Sequence, residues 1–209
     1  MKIDALSVGP IGTNCYILQD EQAKVCAVID PGDEPERIIK AVERTGCAPA
    51  MILLTHGHFD HYTAVEGLLE KWPELPVYIN EKDVTDRHTS GFALLFPRLP
   101  EKNQRYYKED DVLSLGSLAI RVMETAGHSR GSVCLLVGDT IFSGDTLFCG
   151  SCGRTDFAGG SYEDMLQSLK RLAMLPGQYR VYPGHDRPTD LDFERRFNPY
   201  VKQGQRARS

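Results

Sequence analysis

The sequence predicts an α/β fold, in which short buried strands alternate with amphipathic helices. Three observations support this prediction. Short apolar runs recur along the chain, helical patterns separate several of them, and the polar residues that could carry chemistry follow directly after the apolar runs. Open α/β folds place their sites at such strand ends. With 209 residues, 41% of them hydrophobic, the chain is expected to form one domain over residues 1–209.

The first predicted unit is a pair of strands followed by a helix. The strands are expected at residues 15–19 and 25–29. Asp33 is expected to cap the helix, Glu36 to complete a capping box, and Gly46 to end the helix. The apolar face of this helix comprises Ile38, Ile39 and Val42.

The middle of the chain begins with a continuous apolar run at residues 51–54, which is typical of a buried strand. A helix at residues 64–72 and a strand at residues 77–79 are expected to follow. Residues 89–110 contain two prolines and several aromatic side chains, so we expect a long irregular segment there that overhangs a pocket.

The last third of the chain adds further strands and one well-marked helix. The strands are expected at residues 118–123, 133–137, 140–143 and 179–182. Ser161 and Asp164 are expected to cap the last helix. The core face of that helix comprises Met165, Leu166, Leu169 and Leu172.

Composition excludes several classes of partner. The net charge of -5 lacks the positive balance of a nucleic-acid-binding protein, so no nucleic-acid partner is expected. No apolar stretch approaches the roughly 18 residues that span a bilayer. The first eight residues contain Asp4 and lack a signal-peptide pattern. We therefore expect a cytoplasmic protein with no membrane partner, and six reduced cysteines rather than disulfides.

A cluster of potential metal ligands follows the apolar run at residues 51–54. The cluster is an H-x-H-x-D-H run made of His56, His58, Asp60 and His61. Neighbouring imidazoles repel one another when charged and need a shared acceptor when neutral. A divalent cation supplies that acceptor, which favours a metal site over a turn of solvated imidazoles.

Three more candidate ligands, His128, Asp145 and His185, follow later predicted strands, and each stands beside a glycine. Taken singly, each could be an ordinary turn residue. Together with the first cluster they account for five of the six histidines, which favours a common site. Asp30, in the segment Asp30-Pro31-Gly32, either fixes a ligand or the metal loop through hydrogen bonds or simply ends its strand in a turn.

In sequence order, Asp30, the H-x-H-x-D-H run, His128, Asp145 and His185 resemble the five motifs of the metallo-β-lactamase superfamily. The resemblance implies a four-layer αβ/βα sandwich with its site at one edge of two packed sheets. It also implies two divalent cations, with zinc favoured and iron or manganese as alternatives. One cation would be held by His56, His58 and His128, and the other by Asp60, His61 and His185. Asp145 would bridge the two.

This arrangement predicts a hydrolase that acts through a metal-bridging hydroxide, because two cations lower the pKa of a bridging water toward neutrality. The hydroxide would attack a carbonyl carbon. Asp60 is the candidate catalytic residue, since its carboxylate could orient the hydroxide. A thiolate leaving group departs without a general acid, so a thioester suits a site that is poor in proton donors.

Within the superfamily, the segment from Leu147 to Phe157 and the later Asn198-Pro199-Tyr200 resemble the short glyoxalase II-like branch. In glyoxalase II, a basic residue at the position of Arg154 binds the glutathione part of the substrate. Arg154 is therefore the candidate substrate-binding residue, with a structural ion pair as the alternative. Two tyrosines that glyoxalase II directs at glutathione are replaced here by Asp156 and Arg187. A small thioester or ester of another thiol or alcohol is thus equally consistent with the residues.

Other functions remain open from the sequence. Persulfide dioxygenases share this fold and a segment much like residues 153–157, and their single iron(II) would be held here by His56, His128 and Asp145. Phosphodiester hydrolysis is disfavoured by the acidic charge. A non-enzymatic scaffold that kept the fold and lost the chemistry should also have lost metal ligands. All seven candidate ligands are present, which disfavours that alternative. Cys149 and Cys152 are expected to be loop cysteines near the site rather than a redox pair, and the sequence does not indicate an oligomeric state.

Overall fold

The computed structural model describes residues 1–85 and 99–206. Within them, the strands are β1 (Lys2–Val8), β2 (Thr13–Asp20), β3 (Val25–Ile29), β4 (Ala48–Leu53), β5 (Val77–Asn80), β6 (Gln104–Tyr107), β7 (Val112–Leu115), β8 (Leu118–Glu124), β9 (Val133–Val137), β10 (Thr140–Gly144), β11 (Leu147–Phe148), β12 (Ser151–Cys152), β13 (Arg180–Pro183) and β14 (Thr189–Asp190). The helices are α1 (Pro35–Thr45), α2 (Val65–Lys71), α3 (Lys82–Thr85), α4 (Tyr162–Ala173), α5 (Leu191–Phe197) and α6 (Pro199–Arg206).

Two six-stranded sheets form the centre of the fold. The first sheet has the order β1-β2-β3-β4-β5-β6, and the second has the order β14-β13-β10-β9-β8-β7. Strands β3 to β6 run parallel to one another, as do β10 and β13, whereas the other described pairings within these two sheets are antiparallel. Strands β11 and β12 form a separate small hairpin.

The first sheet has an apolar layer on each of its two faces, because successive side chains along its strands point to opposite faces. On β2, Cys15 and Ile17 pack toward α1 and α2, whereas Tyr16 and Leu18 pack toward the second sheet. A third apolar layer lies between the second sheet and the helices α4 to α6, where Met165 of α4 is fully buried. Three apolar layers between helix, sheet, sheet and helix confirm the four-layer sandwich.

Most of the predicted strands and helices are confirmed, with ends that shift by a few residues. Gly46 ends α1 with a φ of 68°, in the left-handed region that glycine adopts without strain. The side chain of Ser161 accepts a hydrogen bond from the backbone N–H of Asp164 at the start of α4, as expected. In the described helices, no segment has the length and apolarity that a bilayer crossing requires.

The predicted cap of α1 is wrong. The N-cap is Glu34, not Asp33, and no side chain forms a capping hydrogen bond. Asp33 instead accepts a hydrogen bond from the backbone N–H of Glu34, which has a φ of 56°. Glu34 accepts from the backbone N–H of Gly9 and pairs with Arg37, so its carboxylate ties the helix to the loop after β1. These contacts are non-local, and the capping-box pattern with Glu36 does not reveal them.

One further prediction needs correction. The segment at residues 89–110 is not irregular throughout, because residues 104–107 form β6. Its part up to residue 98, with the pocket overhang predicted for it, lies outside the described residues. After α4, the last well-marked helix in the sequence, the structure adds α5 and α6, which were not predicted. With seven and eight residues, these helices have too few turns for an apolar pattern to be recognised in the sequence.

Candidate metal centre

Strand ends position all of the candidate ligands. The H-x-H-x-D-H run follows β4, His128 follows β8, Asp145 follows β10 and His185 follows β13. The first of these strands belongs to one sheet and the other three to the second sheet. The ligands therefore meet at an edge that both sheets share, and the structure brings all seven of them together.

One group of ligands consists of three imidazoles. His56, His58 and His128 offer nitrogen atoms that all lie within 4.8 Å of one another. Nδ1 of His58 lies 2.7 Å from Nε2 of His128. Nδ1 of His128 lies 2.7 Å from the backbone carbonyl oxygen of Arg154 and donates to it, which leaves the lone pair of Nε2 directed at the group. Nε2 of His56 is buried and has no hydrogen-bond partner among the described residues.

The second group combines Asp60, His61 and His185. Oδ2 of Asp60 lies 3.3 Å from Nε2 of His61 and 3.2 Å from Nε2 of His185. The hydroxyl of Thr13 donates to the same oxygen at 2.9 Å, which fixes the orientation of the carboxylate. Both imidazoles thus present Nε2 to one carboxylate oxygen.

Asp145 lies between the two groups. Its Oδ1 is 3.4 Å from Nε2 of His61. Its Oδ2 is 3.4 Å from Nε2 of His128 and 3.6 Å from Nε2 of His185. The two oxygens therefore face ligands of both groups, which is the placement that a bridging carboxylate requires.

Asp30 contacts one ligand and supports another. Its Oδ2 lies 3.0 Å from Nδ1 of His61, so the carboxylate favours the tautomer that leaves Nε2 free to bind a cation. The backbone N–H and the hydroxyl of Thr55 donate to Asp30, each at 2.7 Å. The hydroxyl of Thr55 also lies 3.1 Å from Nδ1 of His56. Asp30 is buried and links the end of β3 to the start of the ligand loop.

The electrostatics divide the histidines into two kinds. Burial lowers the pKa of His58 to about 3 and that of His56 well below its usual range, with neighbouring imidazoles adding to both shifts. Burial acts in the same direction on His61 and His185, yet neighbouring carboxylates raise both pKa values. Asp30, Asp145 and Asp60 do so for His61, and Asp60 and Asp145 do so for His185. Although burial opposes it, contacts with His185 and His61 lower the pKa of Asp60. His56 and His58 are thus neutral at pH 7, as metal-ligating imidazoles must be.

The residues fit a divalent cation in each group. Nε2 of His56, Nε2 of His61 and Oδ1 of Asp145 are buried without a hydrogen-bond partner among the described residues. Buried polar atoms are rarely left unpaired in folded proteins, and a cation would satisfy all three. Imidazole nitrogens with carboxylate oxygens form the donor set that zinc and iron accept.

A cavity of about 520 Å³ opens over the two groups. Its apolar wall is formed by Ile11, Phe59, Phe148 and Phe157. Arg154 also lines it, but its guanidinium forms a side-on ion pair with Asp156, with N–O distances of 2.6 and 2.7 Å. The same guanidinium lies 3.9 Å from the ring centroid of Phe157. Arg154 is therefore at the site, and its charge is already paired.

The two cysteines near the site occupy the β11–β12 hairpin. Cys152 lines the cavity from β12 rather than from a loop, and burial raises the pKa of its thiol to about 11. Cys149 lies at the turn, where Nε of Arg187 donates to its sulfur at 3.4 Å. All six cysteines are free thiols in the structure.

Thr13 and Thr55, which orient Asp60 and Asp30, were not predicted from the sequence. Thr13 is 47 residues from its partner and Thr55 is 25 residues from Asp30. Each stands at a strand end, which is the one local feature that could have drawn attention to them.

Comparison with known proteins gives consistent matches over most of the chain. The family described as the Metallo-beta-lactamase superfamily matches residues 8–185. The "Probable metallo-hydrolase YqgX" of Bacillus subtilis is 38% identical over 210 residues, which are 96% of this chain and 98% of that protein. The "Hydroxyacylglutathione hydrolase GloC" of Haemophilus influenzae is 31% identical over 218 residues, again 96% of this chain and 98% of that protein.

Solved structures match as closely. TTHA1623 in a di-iron-bound form has a TM-score of 0.82 at 38% identity and covers 94% of this chain and 99% of its own. The BLEG-1 B3 metallo-beta-lactamase has a TM-score of 0.83 at 32% identity, with coverage of 96% and 99%. ETHE1 from Myxococcus xanthus has a TM-score of 0.81 at 30% identity, with coverage of 97% and 85%.

Proposed function

The chain belongs to the metallo-β-lactamase superfamily, and from this premise we propose that it is a binuclear metallo-hydrolase that cleaves a small thioester or related ester. One observation supports the binuclear assignment above the others. Asp145 faces ligands of both groups, since its Oδ1 lies 3.4 Å from Nε2 of His61 and its Oδ2 lies 3.4 Å from Nε2 of His128. A single cation in the first group would leave the converging atoms of Asp60, His61 and His185 without a cation to bind.

The residues divide the chemical work between them. His56, His58 and His128 would hold one cation, Asp60, His61 and His185 the other, and Asp145 both. Bound divalent cations supply Lewis acidity, which lowers the pKa of water and polarises a carbonyl oxygen. Asp60 accepts from Thr13 through the same oxygen that faces His61 and His185, and we assign it the task of orienting the attacking water.

The cavity wall supports a substrate with an apolar portion. Ile11, Phe59 and Phe157 are between 39% and 55% exposed, so the rim offers apolar surface that a bound acyl or thiol group would cover. Among the described lining residues, Arg154 is the one lysine or arginine, and Asp156 neutralises it. The similarity to GloC supports a thioester substrate. Because the charge of Arg154 is already paired with Asp156, the cavity suits thiol groups with less negative charge than glutathione.

A second candidate function is persulfide oxidation by a single iron. His56 and His128 lie with Asp145 in the same centre. The similar TTHA1623 structure holds iron, although it is a di-iron-bound form. Two histidines and one carboxylate are the ligands that such an iron(II) uses. The remaining ligands have no role in that reaction, which places it second.

The test is metal analysis followed by two assays on the same preparation. We expect two divalent cations per chain and hydrolysis across a panel of thioesters and esters, including lactoylglutathione. Asp145→Ala should lose both cations and the activity. One iron per chain, together with oxygen uptake on glutathione persulfide and no thioester hydrolysis, would replace the proposal by the second candidate.

A further inference from the structure

Asp83 is a fully buried carboxylate that the proposed chemistry does not use. It lies in α3, which begins directly after β5 at the same edge of the first sheet as the ligand loop. Buried carboxylates are rare unless other groups satisfy them. The partners of Asp83 therefore indicate what this residue does.

Three donors from two separate loops converge on Asp83. Its Oδ2 accepts from the backbone N–H of Gly57 at 2.8 Å and from the hydroxyl of Ser129 at 2.7 Å. Its Oδ1 accepts from the backbone N–H of Gly131 at 2.6 Å. Hydrogen bonds to a charged acceptor in a buried place are among the stronger ones in proteins.

These donors lie beside three of the ligands. Gly57 stands between His56 and His58, and Ser129 directly follows His128. The first two ligands belong to the loop after β4 of one sheet, and the third belongs to the loop after β8 of the other. The carboxylate of Asp83 is thus a direct link between the two loops that supply the three-imidazole group.

We propose that Asp83 is a positioning residue, which holds these two loops at the separation at which His56, His58 and His128 converge on one cation. The inference rests on the proposed metal centre. It assigns no contact between Asp83 and the cation or the substrate. Its consequence is local, because among the described residues Asp83 accepts from Gly57, Ser129 and Gly131 and not from Asp60, His61 or His185.

The packing around the carboxylate leaves little freedom. A Cβ atom added at Gly131 would lie 2.6 Å from Cγ and 2.8 Å from the backbone nitrogen of Asp83, so alanine there would displace the residue. An asparagine at position 83 is also incompatible in either orientation. Whichever way its amide turns, the NH2 group faces the backbone N–H of Gly57 or that of Gly131, and one contact becomes donor against donor.

The experiment compares Asp83→Asn and Gly131→Ala with the wild-type chain and with Asp20→Asn as a matched control. Asp20 is a buried carboxylate that also links two loops, since it accepts from the backbone of Gln22 and from Ser117. It lies at the opposite end of β2 from Thr13, and therefore far from the centre. Each protein is titrated with Zn²⁺ in competition with a chromophoric chelator and with Co²⁺ by visible absorption. Unfolding of the metal-free form is measured in urea.

We expect Asp83→Asn and Gly131→Ala to weaken one of two Zn²⁺ sites by about 10- to 100-fold and to change the absorption of one bound Co²⁺. The other site should keep its affinity. Asp20→Asn should lower stability and keep both affinities. Because the two test substitutions differ chemically, a shared effect on one site identifies the link between the loops rather than either side chain.

The inference is overturned if both test variants bind two Zn²⁺ ions with wild-type affinity, whatever happens to their stability. It is also overturned if both sites weaken equally, because that result indicates a general structural role. A wild-type chain that binds no cation would refute the metal centre and this inference together. A wild-type chain that binds two cations but hydrolyses no thioester would refute the proposed substrate alone.

Discussion

Asp30→Asn should convert His61 from a ligand into a non-ligand without unfolding the protein. Asparagine tolerates the positive φ of 50° at this position as aspartate does. To accept from the backbone N–H of Thr55, the amide oxygen must take the place of Oδ1. The NH2 group then faces Nδ1 of His61, which must become an acceptor. Its proton moves to Nε2, the nitrogen that faces Asp60 and Asp145.

The magnitude follows from the burial of both partners. His61 is fully buried and Asp30 is 1% exposed, so water cannot replace the lost contact. Restoring the ligating tautomer leaves one buried N–H donor facing the NH2 group without an acceptor, which costs about 1 to 3 kcal/mol. At about 1.4 kcal/mol for each factor of ten, the Kd of the second cation should rise by roughly 5- to 150-fold.

Two measurements check this reasoning. Chelator competition gives the Kd of each site. Nitrogen chemical shifts of the histidine rings in the metal-free protein, recorded at a pH above the raised pKa of His61, report which nitrogen carries the proton. The same substitution at the remote carboxylate, Asp20→Asn, is the control. A variant in which His61 keeps its proton on Nδ1, or binds both cations as tightly as the wild type does, would refute the tautomer argument.

Three further predictions concern packing, proton uptake and substrate charge. Gly184→Ala should reduce metal affinity by about tenfold or more, because the added Cβ would lie 2.2 Å from Oδ1 of Asp145; unchanged metal content would contradict this. Burial lowers the pKa of His58 to about 3 in the folded chain, whereas the same imidazole in the unfolded chain titrates near 6.5. As the pH falls below 6.5, the unfolded chain therefore binds a proton that the folded chain does not yet bind. Urea unfolding of the metal-free protein should therefore give a falling free energy of unfolding from pH 6.5 toward 3, and a flat profile would be inconsistent with a neutral buried imidazole. Asp156→Asn should release the guanidinium of Arg154, which could then pair with a negatively charged substrate. The ratio of kcat/KM for lactoylglutathione to kcat/KM for an uncharged thioester should rise about twofold to fivefold. An unchanged ratio would show that the ion pair has no influence on substrate choice.

The candidate ligands could be singled out from the sequence because the information is local. Each candidate ligand follows a predicted strand, and the observed strands end where the ligands begin. Buried strands such as β9, with five buried residues in a row, were equally clear from their apolar runs. In contrast, β6 has the sequence Gln-Arg-Tyr-Tyr with one fully buried side chain, so it lacks the pattern of a core strand.

The supporting contacts could not be predicted, because they depend on which strand ends meet. Asp83 is 46 residues from Ser129 and 48 from Gly131. Nothing in its local sequence distinguishes it from a surface residue of a short helix. The pairing of Arg154 with Asp156 is different, because a single residue separates them in the sequence. Whether the charge of Arg154 serves a substrate or a neighbour still depends on the direction of its side chain.

In the proposed metal centre, the assembly of the two sheets and the binding of cations are one thermodynamic process. The H-x-H-x-D-H run belongs to the first sheet, whereas His128, Asp145 and His185 belong to the second, so no complete group exists until the sheets pack. Phe142, fully buried between the sheets, lies on the strand that ends just before Asp145. Without cations, folding must bury nitrogens such as Nε2 of His56 without a partner, at about 1 to 3 kcal/mol for each atom. Cations that bind the folded form alone remove this cost and add their binding free energy to stability. The centre is therefore a destabilising element of the metal-free fold and a stabilising element of the loaded one.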